Sequence, residues 1–124
     1  MTRNPFAWVE IPVTDMDRAK TFYEKVFQLE IQIVDFGGLL MGWFPSAGEA
    51  TGASGTLIKQ ESYVPSHEGT LVYFSSDDVQ HQLDRIDEAG GKIMQPKTQI
   101  SEEYGYMAVF EDSEGNRVAL HSQN

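Results

Sequence analysis

The chain has 124 residues, a net charge of −10 and 40% hydrophobic residues, with seven Phe, five Tyr and two Trp. This apolar content is sufficient for a packed core and argues against disorder, while the acidity and the lack of a Lys/Arg cluster argue against nucleic-acid binding. The absence of cysteine excludes disulfides, thiolate nucleophiles and Cys-ligated metal centres.

The sequence shows neither the apolar core of a signal peptide nor a run of ~18 apolar residues that could cross a membrane. We therefore expect a cytoplasmic protein without a membrane partner.

The first half of the chain predicts a β-α-β-β-β order. Residues 6–13 (FAWVEIPV) alternate with a period near two and predict a strand. Thr14 is predicted to be the N-cap of a helix over about 15–27, whose apolar positions repeat at helical spacing. These positions are Ala19, Phe22, Tyr23 and Val26. The rest of this half predicts strands at 30–36, 39–44 and 56–60, a turn at 37–38 and a loop at 45–55.

The same order returns after a linker at 61–69. A strand at 70–76 is followed by a helix at 77–91, which Gly90 and Gly91 end because glycine adopts the left-handed conformation of a C-cap. Further strands are predicted at 92–97, 104–112 and 117–121.

The repeat is the strongest feature of the sequence. When Trp8 is set on Leu71, which lies 63 residues later, strand falls on strand and helix on helix. The chain thus contains two modules, 6–60 and 70–121. One βαβββ module buries too little surface alone, so we expect both to share one domain spanning 1–124.

Three segments carry a resemblance to a known family. They are EIPVTDMDRAKTFYEKVF, VYFSSDDVQHQLDRIDEAGGKI and FEDSEGNRVALH, the last of which is similar to the family ending F-x-D-P-D-G-N-x-[IV]-E-[LF]. On these segments the chain resembles the vicinal oxygen chelate superfamily, which includes glyoxalases, bleomycin-resistance proteins and dioxygenases.

The resemblance implies an α+β fold, in which two tandem βαβββ modules form curled mixed sheets around a cavity. Family members are often homodimers. Many hold a divalent metal in the cavity, whereas others have lost the metal and bind a small molecule.

At the positions where metal-dependent relatives place ligands, the resemblance points to Trp8, Thr56, Leu71 and Ala119. Indole and alkyl groups do not coordinate metals, and a neutral hydroxyl is a poor donor for a divalent ion. No cofactor is therefore expected. The alternative is a shifted site. Glu10 follows Trp8 by two residues and His121 follows Ala119 by two, so each points to the same sheet face as the residue before it, and together they would make a weak metal site near Tyr73.

The aromatic residues favour a small-molecule pocket. Trp8 and Tyr73 are predicted to line it, with Trp43 and Tyr106 as further wall residues, although all four could equally fill the core. Glu10 and Tyr73 are predicted to be the polar contacts of the ligand, and His121 is a further candidate.

His67 and His81 are expected at the surface. The glycine-rich segment 48–55 lacks the spacing of a phosphate loop and is expected to form a rim over the cavity.

Three hypotheses follow. The first is a metal-independent, glyoxalase-like protein that binds a small organic ligand between its sheets. The second is a metal-dependent lyase, isomerase or dioxygenase that uses the shifted ligands Glu10 and His121. The third is a non-enzymatic dimeric accessory module with a closed cavity. The sequence does not decide whether the protein is an enzyme.

Overall fold

Two βαβββ modules follow each other along the chain. The computed structural model describes residues 4–48 and 50–124. The elements of the first module are β1 (Trp8–Pro12), α1 (Met16–Phe27), β2 (Gln32–Phe36), β3 (Leu39–Trp43) and β4 (Ser54–Lys59). Those of the second are β5 (Tyr73–Ser75), α2 (Val79–Ala89), β6 (Lys92–Ser101), β7 (Gly105–Glu111) and β8 (Arg117–Ser122). Neither helix, in the described part of the chain, is long and apolar enough to cross a membrane.

Each module forms its own four-stranded mixed sheet, in the orders β1-β4-β3-β2 and β5-β8-β7-β6. The first strand of each module pairs in parallel with the last one, and the other pairs are antiparallel. The edge strands β1 and β5, both described in full, stay more than 8 Å apart at their Cα atoms. Hydrogen-bonded strands lie about 4.8 Å apart, so the two sheets remain separate and leave an opening between them.

The helices begin and end at recognisable caps. Helix α1 starts at Asp15, whose Oδ1 accepts a hydrogen bond of 3.0 Å from the backbone N–H of Arg18. The predicted cap at Thr14 is therefore wrong by one residue. Helix α2 ends, as predicted, at Gly90, which has a φ of 100°. Helix α1 instead ends at Gln28, a non-glycine residue with a φ of 56°.

Two strands differ most in length from their predictions. The strand predicted at 70–76 is confined to Tyr73–Ser75. The strand predicted at 92–97 runs on to Ser101, through Pro96. Proline is tolerated there because β6 is an edge strand and its pairing with β7 shifts register between Gln95 and Thr98.

One hydrophobic core joins the two modules. The predicted apolar face of α1 is confirmed, because all four of its residues are buried. The Tyr23 ring lies 5.6 Å from the Phe44 ring of its own module and 5.9 Å from the Phe74 ring of the other. Aromatic packing across the module boundary therefore makes a single hydrophobic cluster.

The turn between β7 and β8 connects the second module to the first through hydrogen bonds. Asp112 is buried, and its Oδ2 accepts a hydrogen bond of 2.6 Å from the Tyr23 hydroxyl. Its Oδ1 accepts from the backbone N–H groups of Glu114 and Asn116 at 2.8 and 2.9 Å. Burial, reinforced by this carboxylate, raises the pKa of Tyr23. Asn116 also donates to the carbonyl oxygen of Pro12 at 2.8 Å.

Glu114, in the same turn, binds the start of α1 in the first module. Its Oε1 accepts from the backbone N–H groups of Thr14 and Asp15 at 2.9 and 2.8 Å, and its Oε2 pairs with Arg18 Nε at 2.7 Å. Burial opposes ionisation, but the hydrogen bonds from Arg18 and from the two N–H groups outweigh it and lower the pKa of Glu114 to about 2.

Candidate functional site

The face of the first sheet that points away from α1, called here the first open face, carries a row of polar and aromatic side chains. Ile11 and Leu57 point toward the helix and belong to the core, so alternate residues point the other way. In the ladder, Thr56 on β4 pairs with Glu10 on one side and with Trp43 on the other. The three side chains therefore stand next to one another on the first open face.

Two indole rings cover the middle of this row. Trp8 and Trp43 flank β4 from opposite sides, and their ring centroids lie 5.3 Å apart at an angle of 63°. Both remain half-exposed, at 42% and 39%. Thr56 is fully buried, and its Oγ1 finds no hydrogen-bond partner among the described residues. From the sequence, Thr56 was expected only at a position where metal-dependent relatives have a metal ligand. Its place between Trp8 and Trp43 depends on the pairing of three strands and has no signal in the local sequence.

The corresponding face of the second sheet is less polar. Ala119 on β8 pairs with Tyr73 on one side and with Val109 on the other. Tyr73 is 50% exposed. His121 lies two residues further along, where its Nε2 is 2.6 Å from the carbonyl oxygen of Tyr104. One imidazole nitrogen of His121 is thus already engaged within the second module.

Tyr106 does not lie on the corresponding face of the second sheet. It packs against the core on the helix side of β7, and Lys97 Nζ sits 4.6 Å from its ring centre. The predicted wall role of Tyr106 does not fit this position. A constant offset of 63 residues aligns Tyr106 with Trp43. In the first module, Trp43 pairs with Thr56, which lies 13 positions later. In the second module, Ala119 pairs with Val109, which lies only 10 positions earlier. The longer connection in the first module shifts the register, and Val109 is the structural counterpart of Trp43.

A cavity of about 390 Å³ lies between the two sheets, and we call it the inter-sheet cavity. Its apolar wall includes Ile11 and Phe44 from the first module and Phe74 from the second. Tyr73 and Ser75 contribute hydroxyl groups. Each described residue that lines it is uncharged. The glycine-rich segment predicted as a rim does border this cavity through residues 51–55, while Glu49 lies outside the described residues.

A second cavity, of about 460 Å³, lies under the linker and is called the linker cavity. Trp8 and Glu10 line it together with Arg117. Glu10 and Tyr73, predicted to contact one ligand, thus border different cavities.

His67 is exposed, as predicted. Its Nε2 also lies 2.6 Å from Oε2 of Glu111, and this contact connects the linker to β7.

The residues present do not suit a metal. The four positions that the family pattern assigns to ligands hold an indole, a buried hydroxyl and two alkyl side chains, at Trp8, Thr56, Leu71 and Ala119. Such a donor set cannot hold a divalent cation. Among residues 4–48 and 50–124, no group of three or more His, Asp or Glu side chains is arranged to hold a metal.

Comparison with known proteins identifies the fold. A family model described as the Glyoxalase/Bleomycin resistance protein/Dioxygenase superfamily matches residues 6–120. A glyoxylase-like domain-containing protein from Didymella fabae is 28% identical over 115 residues, which cover 90% of this chain and 88% of that protein.

Two solved structures show the same architecture. Glyoxalase I from Zea mays superposes with a TM-score of 0.72 at 22% identity over 99% of this chain, which spans 47% of the maize protein. A glyoxalase/bleomycin resistance protein from Albidiferax ferrireducens superposes with a TM-score of 0.72 at 17% identity, covering 98% of this chain and 100% of that one. Both confirm the predicted fold of two βαβββ modules.

Proposed function

The chain belongs to the Glyoxalase/Bleomycin resistance protein/Dioxygenase superfamily, and we propose that it binds a small, uncharged organic molecule in the inter-sheet cavity without a metal. The observation that carries this proposal is the neutral lining of that cavity. Small-molecule sites are typically concave, mostly apolar and supplied with a few polar groups that orient the ligand.

The cavity has the size and chemistry for such a ligand. Its volume of about 390 Å³ lies within the range of about 300–1,000 Å³ typical of ligand pockets. Phe44 and Phe74 offer aromatic surface, while Tyr73 and Ser75 offer hydroxyls that donate and accept hydrogen bonds. A flat, apolar molecule with one or two neutral polar groups matches this lining.

Metal independence follows from the donor set. In this chain Ala119 is fully buried at the position where the family ending has a carboxylate, and an alkyl group leaves that corner of the site without a ligand. Glu10 and His121 do not compensate in this proposal, because His121 Nε2 is held by Tyr104 and Glu10 borders the linker cavity.

A cavity-filling substitution tests the site. N-phenyl-1-naphthylamine, an uncharged dye that becomes fluorescent in apolar surroundings, serves as the probe. Ser75→Phe adds a ring to the cavity wall, so we expect it to weaken dye binding about tenfold, equivalent to ~1.4 kcal/mol. Ser46→Phe is the matched control, because Ser46 is exposed and lies outside the cavity lining.

The proposal is wrong if the dye binds the unmodified protein and the Ser75→Phe variant with equal affinity while both are folded by circular dichroism. The expected homodimer stays a prediction, which a light-scattering mass of two chains would confirm and a mass of one chain would refute.

A further inference from the structure

The free edge of β5 runs along the inter-sheet cavity. Four consecutive residues, 72–75, line the cavity there, and they include the whole of β5. Side chains alternate between the two faces of a strand, so a cavity over one face would contact only every second residue. The cavity therefore lies beside the backbone of β5, on the side where no strand pairs with it.

The pairing of β5 with β8 shows which backbone groups face the cavity. Ser76 N–H donates to the carbonyl oxygen of His121 at 2.8 Å, and the carbonyl oxygen of Val72 accepts a hydrogen bond of 2.9 Å from β8. In a parallel ladder, alternate residues of a strand bond to the same neighbour. The N–H and C=O groups of Tyr73 and Ser75 therefore point away from β8 and toward the cavity.

These outward groups are free to bind a ligand. Within residues 4–48 and 50–124, no hydrogen bond joins the backbone of Tyr73 or Ser75 to a residue outside the strands, and no strand lies on that side of β5. Backbone N–H and C=O are strong hydrogen-bonding groups. The C=O of Tyr73 and the N–H of Ser75 follow each other along the edge, so they offer an acceptor next to a donor.

We propose that the inter-sheet cavity binds a lactam, a ring that holds an amide in the cis form. The lactam N–H donates to the carbonyl oxygen of Tyr73, and the lactam carbonyl accepts from the N–H of Ser75. The apolar part of the ring packs against Phe44 and Phe74, which line the same cavity. This inference rests on the proposed function and names the class of its ligand.

The edge of β5 distinguishes a lactam from other small molecules. An open-chain secondary amide prefers the trans form, in which N–H and C=O point in opposite directions, so only one of them faces the edge. A ketone or an ether lacks the donor. A carboxylic acid is ionised at pH 7, which removes its donor and places a negative charge against an uncharged lining in a protein of net charge −10.

Two isomers test these hydrogen bonds without changing the apolar surface of the probe. 4-Methyl-2-quinolone is a lactam with a free N–H, whereas 1-methyl-2-quinolone carries its methyl group on the nitrogen and has no donor. We would titrate each isomer into the unmodified protein at pH 7 by isothermal titration calorimetry. The methyl group on nitrogen removes one hydrogen bond and obstructs the other, so the 1-methyl isomer should bind about tenfold more weakly.

Two variants at Ser75 separate the backbone from the side chain. Ser75→Pro removes the N–H that faces the cavity but no hydrogen bond to β8, and proline is tolerated on edge strands. It should weaken 4-methyl-2-quinolone about tenfold, so that the two isomers bind about equally. Ser75→Ala removes the hydroxyl and keeps the N–H, so the preference for the 4-methyl isomer should remain.

The isomer comparison in the unmodified protein needs no variant and decides the inference by itself. Equal affinities, or no binding of either isomer, in a protein that still binds the naphthylamine dye would overturn the lactam inference and leave the proposed function standing. A preference that survives in folded Ser75→Pro would also overturn it. Dye binding that Ser75→Phe leaves unchanged would refute the proposed function, and this inference with it.

Discussion

The two modules share an element order but use the connection between their third and fourth strands differently. In the second module this connection is the short turn from Asp112 to Asn116, both of which are buried. In the first module it runs over residues 44–53, most of whose described residues are exposed. The connection between the third and fourth strands therefore joins the two modules in the second copy, whereas in the first copy it borders the inter-sheet cavity.

The difference extends to the open faces. The longer connection moves Trp43 opposite Thr56, so the first module gains an aromatic and polar patch. The second module has Val109 opposite Ala119 at the equivalent positions. The turn that holds the modules together therefore belongs to the second module, whereas the aromatic and polar patch belongs to the first.

The largest expected effect tests the structural side of this comparison. Asp112→Ala removes the acceptor of the Tyr23 hydroxyl and of two backbone N–H groups. Leaving these buried donors unpaired should lower the free energy of unfolding by about 3 kcal/mol, as measured by urea denaturation.

The matching substitution in the first module, Thr51→Ala, lies in the exposed loop and should change the free energy of unfolding by less than about 0.5 kcal/mol. Equal losses in the two variants would show that the two connections contribute alike to stability, contrary to the comparison drawn from the structure.

A smaller, pH-dependent effect is expected at Glu114. Its pKa is lowered from 4.5 to about 2 in the folded chain, so its contribution is complete above the unfolded pKa and is lost as the pH falls toward the folded one. Glu114→Gln should therefore cost about 2 kcal/mol at pH 7, and progressively less from pH 4.5 down to 2.

Urea denaturation of the unmodified protein and Glu114→Gln at pH 7 and pH 3 gives the comparison. A stability difference of the same size at both pH values would mean that the carboxylate charge of Glu114 does not secure the start of α1.

Local patterns allowed most of the fold to be predicted. The spacing of Phe22 and Val26 indicated the buried face of α1, and Gly90 indicated the end of α2. Both signals depend on neighbouring residues alone. The cap at Asp15 was missed by one residue because the backbone N–H groups of Thr14 and Asp15 are taken by Glu114, about a hundred positions away in sequence.

The candidate site was predicted less well, because it depends on register across strands. Trp8, Glu10 and Trp43 were identified individually, but their grouping around Thr56 requires the β1-β4-β3 order. Tyr106 was proposed as a wall residue because it is aromatic, but only the strand register shows that it lies on the helix side of β7. The sequence therefore indicated residue types for a pocket, and only the ladder showed which of them are neighbours.

The central claim, ligand binding without a metal, is tested most directly by titrating chelator-treated protein with N-phenyl-1-naphthylamine before and after adding one equivalent of Ni²⁺, Zn²⁺ or Mn²⁺. We predict the same affinity in every titration, because Trp8, Thr56, Leu71 and Ala119 offer no ligand set. Binding that disappears after EDTA treatment and returns with one of these ions would contradict the claim.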